Sequence, residues 1–135
     1  MKNVIALAAF ALVAGCAANE PMDMSADSEA ALAAELRDFE QSGPPVSCVN
    51  LRDVGSNRSV GTDALVFEAN TSGRLWVNRP PAGCPVLRQG RALQTRTTGS
   101  QLCRGDIATV FDPVSRMDYG GCGLGDFTPY KRRGN

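Results

Sequence analysis

Four cysteines, Cys48, Cys84, Cys103 and Cys122, are spread along the C-terminal two thirds of the chain and constrain its fold more than any other feature. Their spacings contain no C-x-x-C, and the chain has no histidine, so a zinc site would need four scattered thiolates. An even number of cysteines at such spacings reads as two disulfides if the compartment is oxidising, and no metal or other cofactor is expected. Four cysteines allow three pairings, and spacing does not choose among them. The expectation adopted is Cys48–Cys122, tying the start of the domain to its end, with Cys84–Cys103 closing a local loop. Loop-closure entropy makes such bonds worth about 4 and 3 kcal/mol respectively. A domain of fewer than 90 residues buries too little surface to do without terms of that size.

The compartment is read from the N-terminus. Met1, Lys2 and Asn3 form a short positive start, Val4 to Val13 is an unbroken apolar run, and the small residues Ala14 and Gly15 follow. That order is the one found in export signals. Counted on to Ala18, the apolar stretch has about 15 residues, short of the roughly 20 that cross a bilayer as a helix, so no permanent span is expected. Ordinary cleavage would place the cut near Ala18. Val13-Ala14-Gly15-Cys16 instead resembles the lipobox of bacterial lipoproteins. The resemblance implies that Cys16 becomes the first mature residue, with diacylglycerol on its sulfur and a further acyl chain on its amine. Each buried methylene contributes about 0.8 kcal/mol, and two or more chains make attachment stable. By the family's sorting rule, Ala17 directs the protein to the periplasmic face of the outer membrane. The expected organisation is a signal peptide over 1–15, a lipidated acidic tether over 16–46 and a small disulfide-bonded β domain over 47–135.

The zero formal charge hides an asymmetry: residues 17–46 carry a net −6 and residues 47–135 a net +5. Two explanations compete: the halves attract one another, or the basic face meets an anionic envelope component such as lipid phosphate or peptidoglycan carboxylate. The basic residues are scattered singly apart from Lys131-Arg132-Arg133, without interleaved aromatics, so nucleic acid is not an expected partner. Within the tether, Ser25 to Gln41 is rich in Ala, Glu and Leu, and Leu32, Leu36 and Phe39 recur at helical steps. One helix over about 27–41 is expected, with Asp23 or Ser25 as cap and Gly43-Pro44-Pro45 as its end. Such a helix is marginal alone, so it either docks on the domain or serves as a mobile spacer.

After Pro45 the pattern is β. Strands are expected at Val46–Leu51, Ala64–Ala69, Arg74–Asn78, Ala92–Thr97, Ile107–Phe111 and Phe127–Tyr130, with a break at Gly55-Ser56-Asn57 among others. Asn70-Thr71-Ser72-Gly73 suits a type I turn with a left-handed glycine. A three-residue connection there sets Phe67 opposite Val77 and places Leu65, Phe67, Ala69, Leu75 and Val77 on one core face. The fold class is mainly β: a small antiparallel barrel or sandwich, stapled by disulfides and preceded by a signal peptide and a short helical tether.

Chemistry is thinly supplied. The glycine-rich run Gly120 to Gly125 lacks the strand-to-helix context and Lys-Ser/Thr of a phosphate loop. Its alternating glycines read as close packing on one face of a strand, beneath Trp76. Without histidine there is no imidazole base, and no enzyme activity is expected. Asp63, Asp106, Asp112, Asp118 and Asp126 fall in or beside turns, where aspartate is common, leaving a carboxylate-pair hydrolase the last-ranked reading. Trp76 and the Lys131-Arg132-Arg133 tail are the candidate ligand contacts, Trp76 reading first as core.

From Cys48 onward the chain resembles a family of small proteobacterial lipoproteins and secreted proteins. The matching pieces are Cys48, the strand Leu65-Val66-Phe67, Leu75-Trp76-Val77-Asn78 followed by Cys84-Pro85-Val86-Leu87, then Leu102-Cys103-Arg104-Gly105-Asp106, and Cys122-Gly123-Leu124-Gly125-Asp126-Phe127-Thr128-Pro129. The resemblance implies a shared disulfide-stapled domain and carries over no activity. The resulting expectation is an envelope lipoprotein whose domain binds a ligand or protein or serves a structural role. The alternative is a small lipoprotein inhibitor of an envelope-attacking hydrolase, inserting a loop or the basic tail into its target.

Overall fold

The computed structural model describes residues 24–88 and 91–134. The signal segment, Cys16 and the candidate cap Asp23 lie outside the described residues. The order of elements is α1 (Met24–Glu35), β1 (Phe39–Gln41), β2 (Cys48–Asn50), a single 3-10 turn (Leu51–Asp53), β3 (Val54–Val60), β4 (Ala64–Ala69), β5 (Arg74–Asn78), β6 (Ala92–Arg96), β7 (Gln101–Cys103), β8 (Ile107–Phe111), β9 (Asp118–Gly123) and β10 (Phe127–Arg132). The strands form three antiparallel sheets: β1-β10-β5-β4-β3, β6-β8-β9 and the pair β2-β7. Each is open, and no sheet among the described residues closes into a barrel. No helix of the described residues is long and apolar enough to cross a membrane.

The five-stranded sheet is covered on both faces, because Ala64 to Phe67 form a run of four consecutive buried residues. Leu65, Phe67 and Phe127 turn toward the main core, where they meet Val49 and Leu102 of the two-stranded sheet and Ala108, Val110 and Cys122 of the three-stranded one. Phe67 and Phe127 pack edge to face, ring centroids 5.4 Å apart. Ala64, Val66, Leu75 and Val77 turn the other way, into a second cluster closed by Leu32, Leu36 and Phe39.

That arrangement corrects the expected hairpin register. Phe67 stands opposite Trp76, and Val66 opposite Val77. The connection is the four residues Asn70–Gly73, with Gly73 left-handed at φ 79° as the turn chemistry required. Asn70 is drawn away from Arg74, because its backbone N–H donates to the Asp53 carbonyl at 2.8 Å and its side chain to that of Arg52. A one-residue slip moves every side chain of β5 to the opposite face. Leu75 and Val77 therefore leave the main core for the second cluster, and Trp76 takes their place.

The helix is shorter than expected, ending at Glu35, and Phe39 opens a strand rather than continuing the helical stripe. Leu32, Leu36 and Phe39 nevertheless meet on the same sheet face. The tether thus docks. The buried Ser28 hydroxyl accepts from the Thr62 N–H at 2.9 Å, and a Cβ on Gly61 (φ 63°) would run into Ser28. Two ion pairs, Glu29–Arg79 and Glu35–Arg58, bind the acidic helix to the basic domain. The expected boundary at 46/47 falls between segments that share one core.

Disulfides join Cys48 to Cys103 and Cys84 to Cys122. The expected pairing of Cys48 with Cys122 and Cys84 with Cys103 is overturned. Val49 and Leu102 are both buried and paired, which brings β2 against β7 and sets Cys48 directly opposite Cys103 with Cα atoms 4.0 Å apart. Cys84 and Cys122 are buried in the main core. The bonds interleave, spanning 55 and 38 residues, so the second loop is longer than expected and each is worth about 4 kcal/mol by chain entropy.

Candidate functional site

Of the residues singled out in the sequence, Trp76 and Lys131 are brought together. Trp76 is half-buried: one side packs on the main core, and the other lines a shallow groove of about 340 Å³ with Arg74 and Lys131. Pro129 stands opposite Trp76 and Lys131 opposite Arg74 across the β10–β5 pair. The Lys131 ammonium is 3.2 Å from a Glu40 carboxylate oxygen. Arg132 and Arg133 are placed elsewhere. The Arg132 guanidinium lies over the Phe39 ring, 5.4 Å from its centroid, and the Arg133 N–H donates to the Asp38 carbonyl at 2.9 Å. Lys131 and Arg132 belong to β10, so most of the expected basic tail is sheet.

A larger concavity was not anticipated. It is a cleft of about 860 Å³ between β3, the last strand of the five-stranded sheet, and β6, the first of the three-stranded one. Arg58 enters it from β3, Arg88 and Arg91 from the segment leading into β6, and Pro113 from the β8–β9 turn. Thr62 adds a hydroxyl, and Ala92, Leu93 and Pro113 supply an apolar side. Among the described residues, none lining the cleft is acidic.

The three arginines differ in what already holds them. Arg58 is bound to Glu35 of the helix and to Glu68 of β4. Half-burial works against its charge, but these two carboxylates outweigh that and raise its pKa further, so it is a fixed cation. Glu68 is held below the usual carboxylate range, first by the Ser56 hydroxyl and then by Arg58. Arg91 is aimed by its neighbours: its guanidinium lies 3.5 Å from the centroid of the Tyr119 ring and donates to the Val86 carbonyl, and its charge also acts on the Asp112 carboxylate. Arg88 is exposed and makes no ion pair among the described residues. The site therefore presents one guanidinium without an ion pair among the described residues, one aimed by an aromatic face and one shared with the tether. Guanidinium forks of this kind suit carboxylate and phosphate oxygens.

Three of the five aspartates serve local turns. Asp106 accepts from the Cys103 N–H at 2.8 Å, and Asp118 from that of Gly120 at 2.7 Å. Asp112 accepts from Ser115 and Val114, and these bonds lower its pKa. Asp126 reaches Arg104 at 3.4 Å. Asp63 and Asp126 each keep one buried carboxylate oxygen without a hydrogen-bond partner among the described residues. No described cleft is lined by two of the five aspartates. Gly120 to Gly123 of the glycine-rich run lie in β9 and Gly125 lies beyond its end; Gly121 is close-packed, but beneath Ile107, whose Cγ2 would sit 2.6 Å from an added Cβ, rather than beneath Trp76, and an added Cβ at Gly123 would meet nothing within 4 Å.

No family model, curated protein or solved structure matches the chain.

Proposed function

We propose that this chain is an outer-membrane lipoprotein of the kind it resembles, held by acyl chains on Cys16 and facing the periplasm, and that its disulfide-bonded β domain is a sandwich-like module that binds an anionic envelope component. The observation that carries this reading is the cleft between β3 and β6, lined by three arginines and, among the described residues, by no acid. Concave, low-dielectric walls of one charge sign concentrate ligands of the other sign. Among the described residues, docking of the acidic helix leaves the charge asymmetry only partly cancelled, since its ion pairs to the domain are to Arg58 and Arg79 rather than to Arg88 or Arg91. Two disulfides fit an oxidising compartment.

Arg88 supplies the test because its removal breaks no described contact. In Arg88→Ala, binding of the detergent-solubilised protein to peptidoglycan sacculi or phosphatidylglycerol micelles is expected to fall roughly fivefold, the equivalent of about 1 kcal/mol for one charge-assisted contact. The melting temperature should hold. Undiminished binding to both would rule the cleft out.

The inhibitor reading also has one observation in its favour. Val114 is 93% exposed at the tip of the β8–β9 turn, which is held rigid by Asp112 and by Arg116 in the left-handed region at φ 59°. A rigid turn with an apolar tip is a shape that inserts into a partner's cleft. If so, Val114→Asp should abolish protection of sacculi against lysozyme; protection unaffected by the change excludes the tip.

A further inference from the structure

Arg58 has two partners on opposite sides of a functional divide. Glu68 belongs to the neighbouring strand and stays with it, whereas Glu35 belongs to the last turn of α1 and is one of the two acids fastening the tether to the domain. Thr62, at the other end of the same cleft wall, holds Ser28 of that helix. The helix is thus fastened to two residues that also line the cleft, and a ligand that engages Arg58 competes directly with Glu35.

The competition sets terms for the ligand. A single carboxylate from solution offers Arg58 nothing that Glu35 does not, and Glu35 is already present at the high effective concentration of a tethered group. A phosphomonoester brings a charge of about −1.5 to −2 and three acceptor oxygens, enough to engage more than one guanidinium at once. The cleft volume of about 860 Å³ lies at the upper end of the range typical for small organic ligands, so a bare inorganic ion would leave most of it filled with water. Ala92, Leu93 and Pro113 give an organic body an apolar surface to lie on.

Resting on the anion-binding reading above, we infer that the cleft takes a phosphomonoester carried on a larger organic body, and that its phosphate draws Arg58 away from Glu35 and so loosens α1 from the sheet. Coupling of this kind is reciprocal: whatever weakens the Glu35 contact tightens ligand binding by the same factor by which the ligand weakens the contact.

The experiment uses the full-length lipidated protein in detergent micelles, with glucose 6-phosphate as a soluble phosphomonoester, phosphatidic acid in mixed micelles as a lipid one, and glucuronate as a monocarboxylate. Binding of either phosphomonoester, with faster hydrogen exchange over residues 24–35 on saturation, is the expected result, and which of the two binds identifies the source of the phosphate. Glu35→Gln should bind the phosphomonoester at least fivefold more tightly. Glu29→Gln loosens the same helix through Arg79, outside the cleft, and should leave affinity within twofold of the parent. Glucuronate binding as tightly as glucose 6-phosphate would overturn the ligand class while leaving an anion cleft in place. Equal affinity of Glu35→Gln and parent, or equal tightening by Glu29→Gln, would overturn the coupling, again without touching the Arg88 result. Failure of both phosphomonoesters to bind would overturn the inference as a whole.

Discussion

Asn78 is fully buried, and its side-chain amide completes a two-way bridge to Gly125: Nδ2 donates to the Gly125 carbonyl at 2.7 Å, and Oδ1 accepts from the Gly125 N–H at 2.9 Å. It does for the segment after β9 what a strand partner would do, and glycine is required there because a Cβ at 125 would strike the Arg79 carbonyl. Asn78→Ala removes both bonds and leaves two buried backbone groups unpaired, which should cost about 3 kcal/mol in a urea titration. A midpoint unmoved by the change would show that water or a local shift replaces the amide. The partners are 47 residues apart, so no local pattern reveals them, although both lie within the pieces that carry the family resemblance. Trp76 shows the same limit. It reads first as core, whereas the structure packs one side of it on the core and leaves the other in a groove; its groove-mates Arg74 and Lys131 follow from strand order, which composition does not encode. The cleft arginines were legible only as scattered single charges.

At the level of elements, β4, β5 and β8 stand where their apolar runs placed them, because residues of high β-propensity between turn residues leave little choice of boundary. β3 was missed because its residues look like a turn, and β1 because Phe39 fits a helical stripe. Gly55-Ser56-Asn57 reads as a break, yet it lies within β3, with Gly55 at the bulge between the Val54 and Ser56 registers. In the hairpin, the turn glycine was read correctly and the loop length was not, since Asn70 answers to a carbonyl 17 residues upstream. The helix is an element whose place depends on charge. Arg79's hydrogen bond holds the Glu29 carboxyl below the ordinary carboxylate range, outweighing slight desolvation. A group whose pKa is lowered by folding gives its full contribution above the unfolded value, about 4.3 for glutamate, and loses it as acid titrates the group through the lower folded value. The α1 docking contact should therefore be intact at neutral pH and weaken below about pH 4. Exchange over residues 24–35 that accelerates below pH 4 ahead of the β4 and β5 amides is the expected readout; helix and sheet opening together would mean that Leu32 and Leu36 hold the helix without help from charge.

For the whole molecule, docking of the helix changes what the tether is. Read as a spacer, residues 17–46 let the domain roam. With α1 docked on the five-stranded sheet through Ser28, Glu29, Leu32 and Glu35, the eight steps from Cys16 to the start of α1 at Met24 separate the acylated residue from that helix, at most about 28 Å of extended chain. In the proposed anchored form, the arginine cleft is therefore confined to a layer near the inner surface of the outer membrane, where lipid phosphates and other anions are concentrated. Releasing the helix would multiply that reach several-fold, so the ion pairs at Arg58 and Arg79 act on position as well as on stability. The anchor itself is open to a direct check. Cys16→Ala removes the only sulfur the lipobox resemblance offers for acylation, and the protein should move from the pelleted membrane fraction to the periplasmic extract with its disulfides unchanged, because both join other cysteines. Retention in the membrane pellet after a salt wash would show that the basic face, and not a lipid, does the holding. Retention that disappears only in the double variant Cys16→Ala with Arg88→Ala would assign attachment to both, with the cleft gripping the same surface that the acyl chains enter.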